Sequence, residues 1–306
     1  MSGIGLPTYA TPIERVWHYV FLTLCGAVLL FLILPILVVI PLSFNTEPYF
    51  SFTAGMLKLD PAAYSLKWYA DMLDNGTSGR FADGTWEWFK DVWNNAQWVI
   101  AMKNSFIIGI LATIIATTLG TLAAVGLSSP NMPYRTAITS LLISPMIVPV
   151  VITATGAYFF LAKIGLVKTY IGVILTHAML GIPFVIITVT ATLQGFDRNL
   201  IRAAESLGAK WHTTFFKVVM PLIIPGMVSG ALFAFVTSFD EVVAVLFIAD
   251  IEQRTIPRQM WSGIREQISP TILAVATILI IISIALLTTI ELLRRRSERL
   301  RGITPS

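Results

Sequence analysis

Two adjacent carboxylates, Asp240 and Glu241, stand inside an otherwise apolar run, just after Thr237 and Ser238. An ionised carboxylate at the centre of a membrane helix costs about 2.5–3.5 kcal/mol even on insertion scales, so a neighbouring pair calls for water or a cation. On a continuous helix Thr237 lies one turn from both Asp240 (i+3) and Glu241 (i+4), completing a polar patch, while the two carboxylates diverge by about 100° around the axis. One carboxylate can then meet a passing ammonium group while the other pairs structurally; alternatively both are salt-bridged to a neighbouring subunit. Asp240 precedes Asp250 by a stretch worth roughly 15 Å of helix, which puts it near mid-membrane.

The second chemical feature is a polar stretch at 198–225, RNLIRAAESLGAKWHTTFFKVVMPLIIP, carrying Arg198, Arg202, Glu205, Lys210, His212 and Lys217. Leu200, Ala203, Ala204 and Leu207 recur at i, i+3, i+4 and i+7, an apolar stripe on a short helix that Asp197 can cap. Gly208 then closes that helix, because a residue without Cβ takes the left-handed conformation at little cost. A second amphipathic run, Trp211, Phe215, Val218 and Val219, follows until Pro221. The expected product is a helix, a tight turn and a second helix at a membrane surface. Arg202 and Glu205 alone would be an ordinary i, i+3 pair on a solvated face, worth a few tenths of a kcal/mol.

Other chemistries lack their residues. His18, His177 and His212 are scattered singly, and no His, Cys and carboxylate spacing suits a metal. His177 can line a pathway or make an interhelical hydrogen bond. The chain has no phosphate-binding G-x-x-x-x-G-K-[ST] loop and no nucleophile elbow, so no catalytic residue, cofactor or ATP site of its own is expected. The single cysteine, Cys25, excludes an intrachain disulfide.

The elements that must hold these groups are membrane spans. Of 306 residues 56% are hydrophobic and 12% charged, against roughly a quarter charged in soluble domains. Apolar runs at 19–42, 106–127, 137–161, 170–193, 221–249 and 272–293 can each cross a hydrocarbon core of about 30 Å. The fold class expected is therefore all-α, with six transmembrane helices and both termini on one side. Residues 1–18 form a short lead, 19–293 the membrane bundle and 294–306 a basic tail. The distribution of Lys and Arg barely separates the two orientations. Long loops carry little topological weight, however, so the cluster Arg294, Arg295, Arg296, Arg299 and Arg301 decides for cytoplasmic termini. Such a cluster beside a span is an anchor pattern, which accounts for the net charge of +4 without nucleic acid.

Pro145 and Pro149 remove two backbone donors from the third span, where a kink is expected; bent helices often mark transport pathways. The long connection at 44–103 carries Trp68, Trp86, Trp88, Trp93 and Trp98. These form an aromatic belt at the bilayer surface or add surface for an external partner.

Ala203-Ala204-Glu205-Ser206-Leu207-Gly208, with Met220-Pro221 downstream, resembles the EAA loop of ABC-importer permeases. The resemblance implies that Ala203, Ala204, Glu205, Gly208 and Pro221, in a cytoplasmic loop at 195–220, couple the chain to a separate ATP-hydrolysing subunit. SFDEVV, ISPMIVPVV and TIPRQMWSGIREQISPTILAVATI resemble segments of the spermidine/putrescine permeases, and only 76–92 looks inserted. This implies an inner-membrane subunit of a binding-protein-dependent importer, with Asp240, Glu241 and Thr237 along the substrate path. The implied partners are a second permease subunit, two ATP-binding subunits and an external substrate-binding protein. Permeases for opines, amino acids or related amines share the pattern. An ion-coupled transporter or channel using Asp240 and Glu241 is a further reading, but it leaves the Glu205–Gly208 loop unexplained.

Overall fold

A computed structural model describes residues 11–129, 131–195, 197, 199–266 and 269–300. The lead before Thr11, Arg198 and the arginine side chains at 294–301 lie outside the described residues. In chain order the helices are α1 (Pro12–Leu42), α2 (Ala54–Leu57), α3 (Lys67–Asp74), α4 (Trp86–Asn95), α5 (Gln97–Leu127), α6 (Arg135–Ile147) and α7 (Val150–Lys163). Then come α8 (Tyr170–Gln194), α9 (Asn199–Ser206), α10 (Trp211–Thr214), α11 (Met220–Asp240), α12 (Val243–Ile248), α13 (Ile256–Glu266) and α14 (Thr271–Leu300). Among the described residues there is no strand, only an isolated bridge between Asn45 and Tyr64. Four helices are long and apolar enough to cross a membrane, or five if the bent pair α6–α7 is one span.

The chain forms two compact units. The first comprises residues up to Asp74 together with 267–306. In it Thr11 and Glu14 close the start of α1 with a reciprocal capping box. Helix α1 therefore begins at Pro12, earlier than the apolar run at 19–42, and of its residues only Leu42 is buried. Buried Asn45 organises the following loop: its Nδ2 donates to the carbonyls of Tyr49 and Ser51, and its own carbonyl accepts from Trp68 Nε1 at 2.6 Å.

The second unit, Asn75–Glu266, is built on α5, α8 and α11. Small residues let these backbones approach: a Cβ on Gly226 would meet Thr192 Oγ1 at 2.3 Å, and one on Gly230 would meet Val185 Cα at 2.7 Å. Ala112, Ala116, Val185, Val189, Ile223 and Ala234 fill the core between them.

Two expected spans are broken. The run at 137–161 becomes α6 and α7, bent by 105°. Pro149 makes the break, because its ring forces Val148 into extended conformation (φ −72°, ψ 136°). Pro145 stays inside α6, so the kink expected there is a single break one turn later. The run at 221–249 ends as a helix at Asp240 and restarts at Val243. The second span is longer than the 106–127 expected, because α5 already starts at Gln97.

Candidate functional site

Helix α11 stops without proline or glycine. Glu241 turns extended (φ −74°, ψ 120°), and its Oε1 accepts a hydrogen bond of 2.9 Å from the Ala244 N–H in the first turn of α12. A carboxylate there satisfies a donor that the new helix cannot satisfy itself, and it meets the positive end of the helix dipole. Glu241 is half-buried, whereas Asp240 is exposed and meets no hydrogen-bonding or ion-pair partner among the described residues. The continuous helix assumed from sequence, with its 100° divergence and its 15 Å depth arithmetic, is thus corrected. Asp240 ends α11, and Glu241 lies in the helix break before α12.

Thr237, half-buried, precedes the break by one turn. Between it and Asp240, Ser238 is buried, and its Oγ lies 2.8 Å from His177 Nδ1 on α8. His177 is therefore an interhelical tie. Phe239 stacks on Phe235 and meets the edge of Phe106. The break at Pro149 lies nearby: Val150 at the start of α7 and Val243 at the start of α12 pack on one cluster with Ala154, Leu180 and Ala244. Two interrupted helices thus meet beside a carboxylate with no partner among the described residues.

Beyond α12, Asn104 on α5 donates from Nδ2 to the carbonyls of Glu252 (2.7 Å) and Arg254 (2.9 Å), and the Tyr170 hydroxyl donates to Asn104 Oδ1 at 3.0 Å. Asn104 was not singled out from sequence; an amide in the opening turns of an apolar helix was the available signal. Lys168 and Asp250 form an ion pair at 3.1 Å. The Asp250 carboxyl is held below its ordinary value by the Ile251 N–H and then by Lys168.

The polar loop is the second region. Asp197 Oδ1 accepts from the Asn199 N–H at 2.9 Å and starts α9, as expected. At its other end Gly208 N–H donates to Glu205 C=O (2.9 Å) and Ala209 N–H to Ala204 C=O (3.1 Å), with Gly208 at φ +80°. This is a Schellman closure, and it needs the glycine. The packing face differs from the expected stripe. Ile201 and Ala204 are half-buried, while Leu200 and Ala203 are exposed and Leu207 is 88% exposed. Trp211 is 73% exposed although its ring stacks on Phe215 at 5.7 Å.

Pro221 does not end the second helix. Trp211 to Asp240 run as one helix of 30 residues, because a widened π turn at Phe215–Val219 precedes the proline and takes up its missing donor and its ring. A cavity of about 430 Å³ opens behind the loop between Val125, Ser128, Leu193, Ile201 and Phe215, with Glu205 on its wall. The structure thus keeps Ala203, Ala204, Glu205 and Gly208 on one short element, and joins Pro221 through α11 to Thr237, Asp240 and Glu241. Among the described residues no cluster of three metal-ligating side chains occurs.

Residues 116–301 match the family described as binding-protein-dependent transport system inner membrane component. The spermidine/putrescine transport system permease protein PotC of Haemophilus influenzae is 29% identical over 214 residues, covering 70% of this chain and 83% of that one. The putrescine transport system permease protein PotI of Escherichia coli is 25% identical over 283 residues, 90% of this chain and 88% of that one. The sulfate transport system permease protein CysT of Escherichia coli is 31% identical over 235 residues, 72% and 85% of the two chains. In fold the chain is similar to a crystal structure of a bacterial ABC transporter involved in the import of the acidic polysaccharide alginate. That match has a TM-score of 0.66 and 14% identity, and it covers 94% of this chain and 99% of that one. The chain therefore belongs to the family of binding-protein-dependent transport system inner membrane components, the permease subunits of ABC importers, in which ATP is hydrolysed by separate subunits.

Proposed function

We propose that this permease subunit, paired with a second permease subunit, guides a small cationic amine of the polyamine class into the cell. Two ATP-binding subunits drive it and an external substrate-binding protein feeds it. The observation that carries this reading is Asp240, an exposed carboxylate with no partner among the described residues, at the meeting of two helix breaks. In a low-dielectric path an ammonium group compensates such a charge, whereas an anion would be repelled. The sulfate permease is at least as similar in identity as the polyamine permeases, so the carboxylate, not the percentage, argues for a cation. Opines or other amines would meet the same chemistry.

In this reading six spans cross the inner membrane, with α6–α7 as one broken span and α11–α12 as another. Both termini, the loop at 195–220 and the tail at 294–306 are cytoplasmic; the segment at 44–103 is external. The lead at 1–18 and the tail flank a bundle at 19–293. Ala203, Ala204, Glu205 and Gly208 dock the ATP-binding subunit, and Pro221 sits in the helix that carries the movement onward. Helix Trp211–Asp240 spans about 45 Å at 1.5 Å per residue, so a tilt at the loop swings Asp240 and its neighbours. ATP-driven approach of the loops and their release after hydrolysis would expose the path alternately to the two sides.

The test is uptake of radiolabelled putrescine and spermidine by the whole transporter in proteoliposomes. ATP-dependent uptake that falls about tenfold or more in Asp240→Asn, with the complex still assembled, is expected. ATP-dependent uptake of sulfate that polyamines do not compete with would overturn the substrate class.

A further inference from the structure

Helix α4 presents its apolar face away from the protein. Trp86, Phe89 and Trp93, spaced i, i+3 and i+7, are 67%, 55% and 53% exposed. Asp91, roughly 170° round the axis from the centre of that face, and Val92, roughly 90° round, are the buried residues of the helix. The inward side, with buried Val92 and half-buried Trp88, is locked by a polar contact: Asp91 Oδ2 accepts from the backbone N–H (2.8 Å) and hydroxyl (2.6 Å) of Ser78, and Asp91 Oδ1 accepts from Asn95 Nδ2 at 2.6 Å. Gly76 (φ +99°) holds the preceding turn so close that a Cβ would meet the Asn95 carbonyl at 2.7 Å. The outward direction of the three aromatic rings is thus built in.

What covers them follows from the next helix. A single residue, Ala96, separates α4 from the membrane span α5, so α4 cannot leave the level at which that span begins. Lys103 of α5 donates from Nζ to the Trp93 carbonyl and lies 4.5 Å from the Trp93 ring centroid. On the same face of α5 as Lys103, at i+4, i+7 and i+11, stand Ile107, Ile110 and Ile114, all exposed. The aromatic face therefore continues into the outward apolar stripe of a membrane-spanning helix. Lys90 lies 5.5 Å from the Trp86 ring centroid, so a second ammonium group edges the rings. Aromatic bodies flanked by lysines that reach toward phosphates are the composition of the headgroup boundary.

We infer that α4 is an interfacial helix: it lies on the bilayer surface at the start of α5, with Trp86, Phe89 and Trp93 at the headgroup and acyl boundary and Lys90 and Lys103 on lipid phosphates. The segment at 76–96 is then a membrane-seated brace and not a docking surface for another protein.

The test uses the whole transporter reconstituted in vesicles, with Cys25→Ser as background and nitroxide labels on Phe89→Cys, Trp93→Cys, Glu87→Cys and Asn94→Cys, one at a time. Collisions with oxygen, which partitions into lipid, and with a water-soluble nickel chelate report depth. A several-fold higher ratio of oxygen to nickel collisions at 89 and 93 than at 87 and 94 is expected, unchanged by adding the substrate-binding protein. Equal nickel access at all four positions would overturn the inference. So would shielding of 89 and 93 that arises only when the binding protein is added, or low collision with oxygen as well as nickel at those positions, where the cover would be protein.

Discussion

Glu241 Oε1 accepts a hydrogen bond from the Ala244 N–H at 2.9 Å, so one of two neighbouring carboxylates caps the restarting helix while Asp240, beside it, has no partner among the described residues. The two residues should therefore separate under substitution. Asp240→Asn should depress polyamine uptake and leave the complex intact. Glu241→Gln, which keeps an acceptor oxygen, should change uptake much less. Glu241→Ala should lose the cap, at a cost of about 0.5–2 kcal/mol, seen as a lower melting temperature of the purified complex. If Asp240→Asn abolishes assembly, that carboxylate is a structural pair across the permease interface.

Ser238→Ala removes the partner of His177 Nδ1 within the buried α8–α11 contact. The loss should be about 1 kcal/mol, since an interhelical hydrogen bond in a membrane is worth little more than that net. Thermal unfolding in mild detergent measures it, and Ser238→Thr should retain part of the stability.

Gly226→Val and Gly230→Val should be far more damaging, because their Cβ atoms would meet Thr192 Oγ1 at 2.3 Å and Thr188 Oγ1 at 2.5 Å. Overpacking of that kind costs about 1–3 kcal/mol or more. Gly156→Ala on α7, whose Cβ meets nothing within 4 Å, is the control and should be near neutral. Yield of assembled complex after size-exclusion chromatography distinguishes them.

Gly208 fails differently. Its Cβ would also meet nothing within 4 Å, but its φ is +80°. The penalty for a side chain is therefore purely conformational, about 1–2 kcal/mol for alanine, greater for valine and smaller for asparagine. Stimulated ATPase activity and uptake should fall in the order glycine, asparagine, alanine, valine. Equal activities across the series would detach the turn from coupling.

Asp91 gives the pH dependence. Its carboxyl is held below the ordinary value of 3.8, first by the Ser78 hydroxyl and then by Asn95 and the Ser78 N–H. A carboxyl whose folded pKa is lowered contributes in full above the unfolded value, and the contribution is lost as pH falls through the lowered one. Hydrogen exchange at the Ser78 amide, corrected for intrinsic rates, should stay slow near neutral pH and accelerate only in acid below the usual carboxylate range. Asp91→Ala, which removes both acceptor oxygens, should remove the protection at all pH values, whereas Asp91→Asn should keep part of it and lose its pH dependence.

Much of this was legible in the sequence. Apolar runs located the four long apolar helices and the bent pair α6–α7, while Gly208 announced its helix closure and Pro149 its break, because each of those two residue types has few backbone choices. The break at Glu241 was hidden, since no proline or glycine marks it and its cause is a side-chain cap visible only once the chain has turned. The packing face of α9 was hidden for another reason. Periodicity tells which side of a helix is apolar, and the usual inference that the apolar side faces the protein's own core fails where lipid or another subunit supplies the cover. Ile201 and Ala204, not Leu200 and Leu207, hold α9 to the bundle.

The exposure of Leu207 and Trp211 also bears on how the cell handles this chain before assembly. A bare leucine and indole on a polar loop are what chaperones and membrane proteases read as unfinished protein. A subunit made in excess of whatever covers that loop would carry its own degradation signal, and its abundance would be set by the supply of that cover and not by its own synthesis.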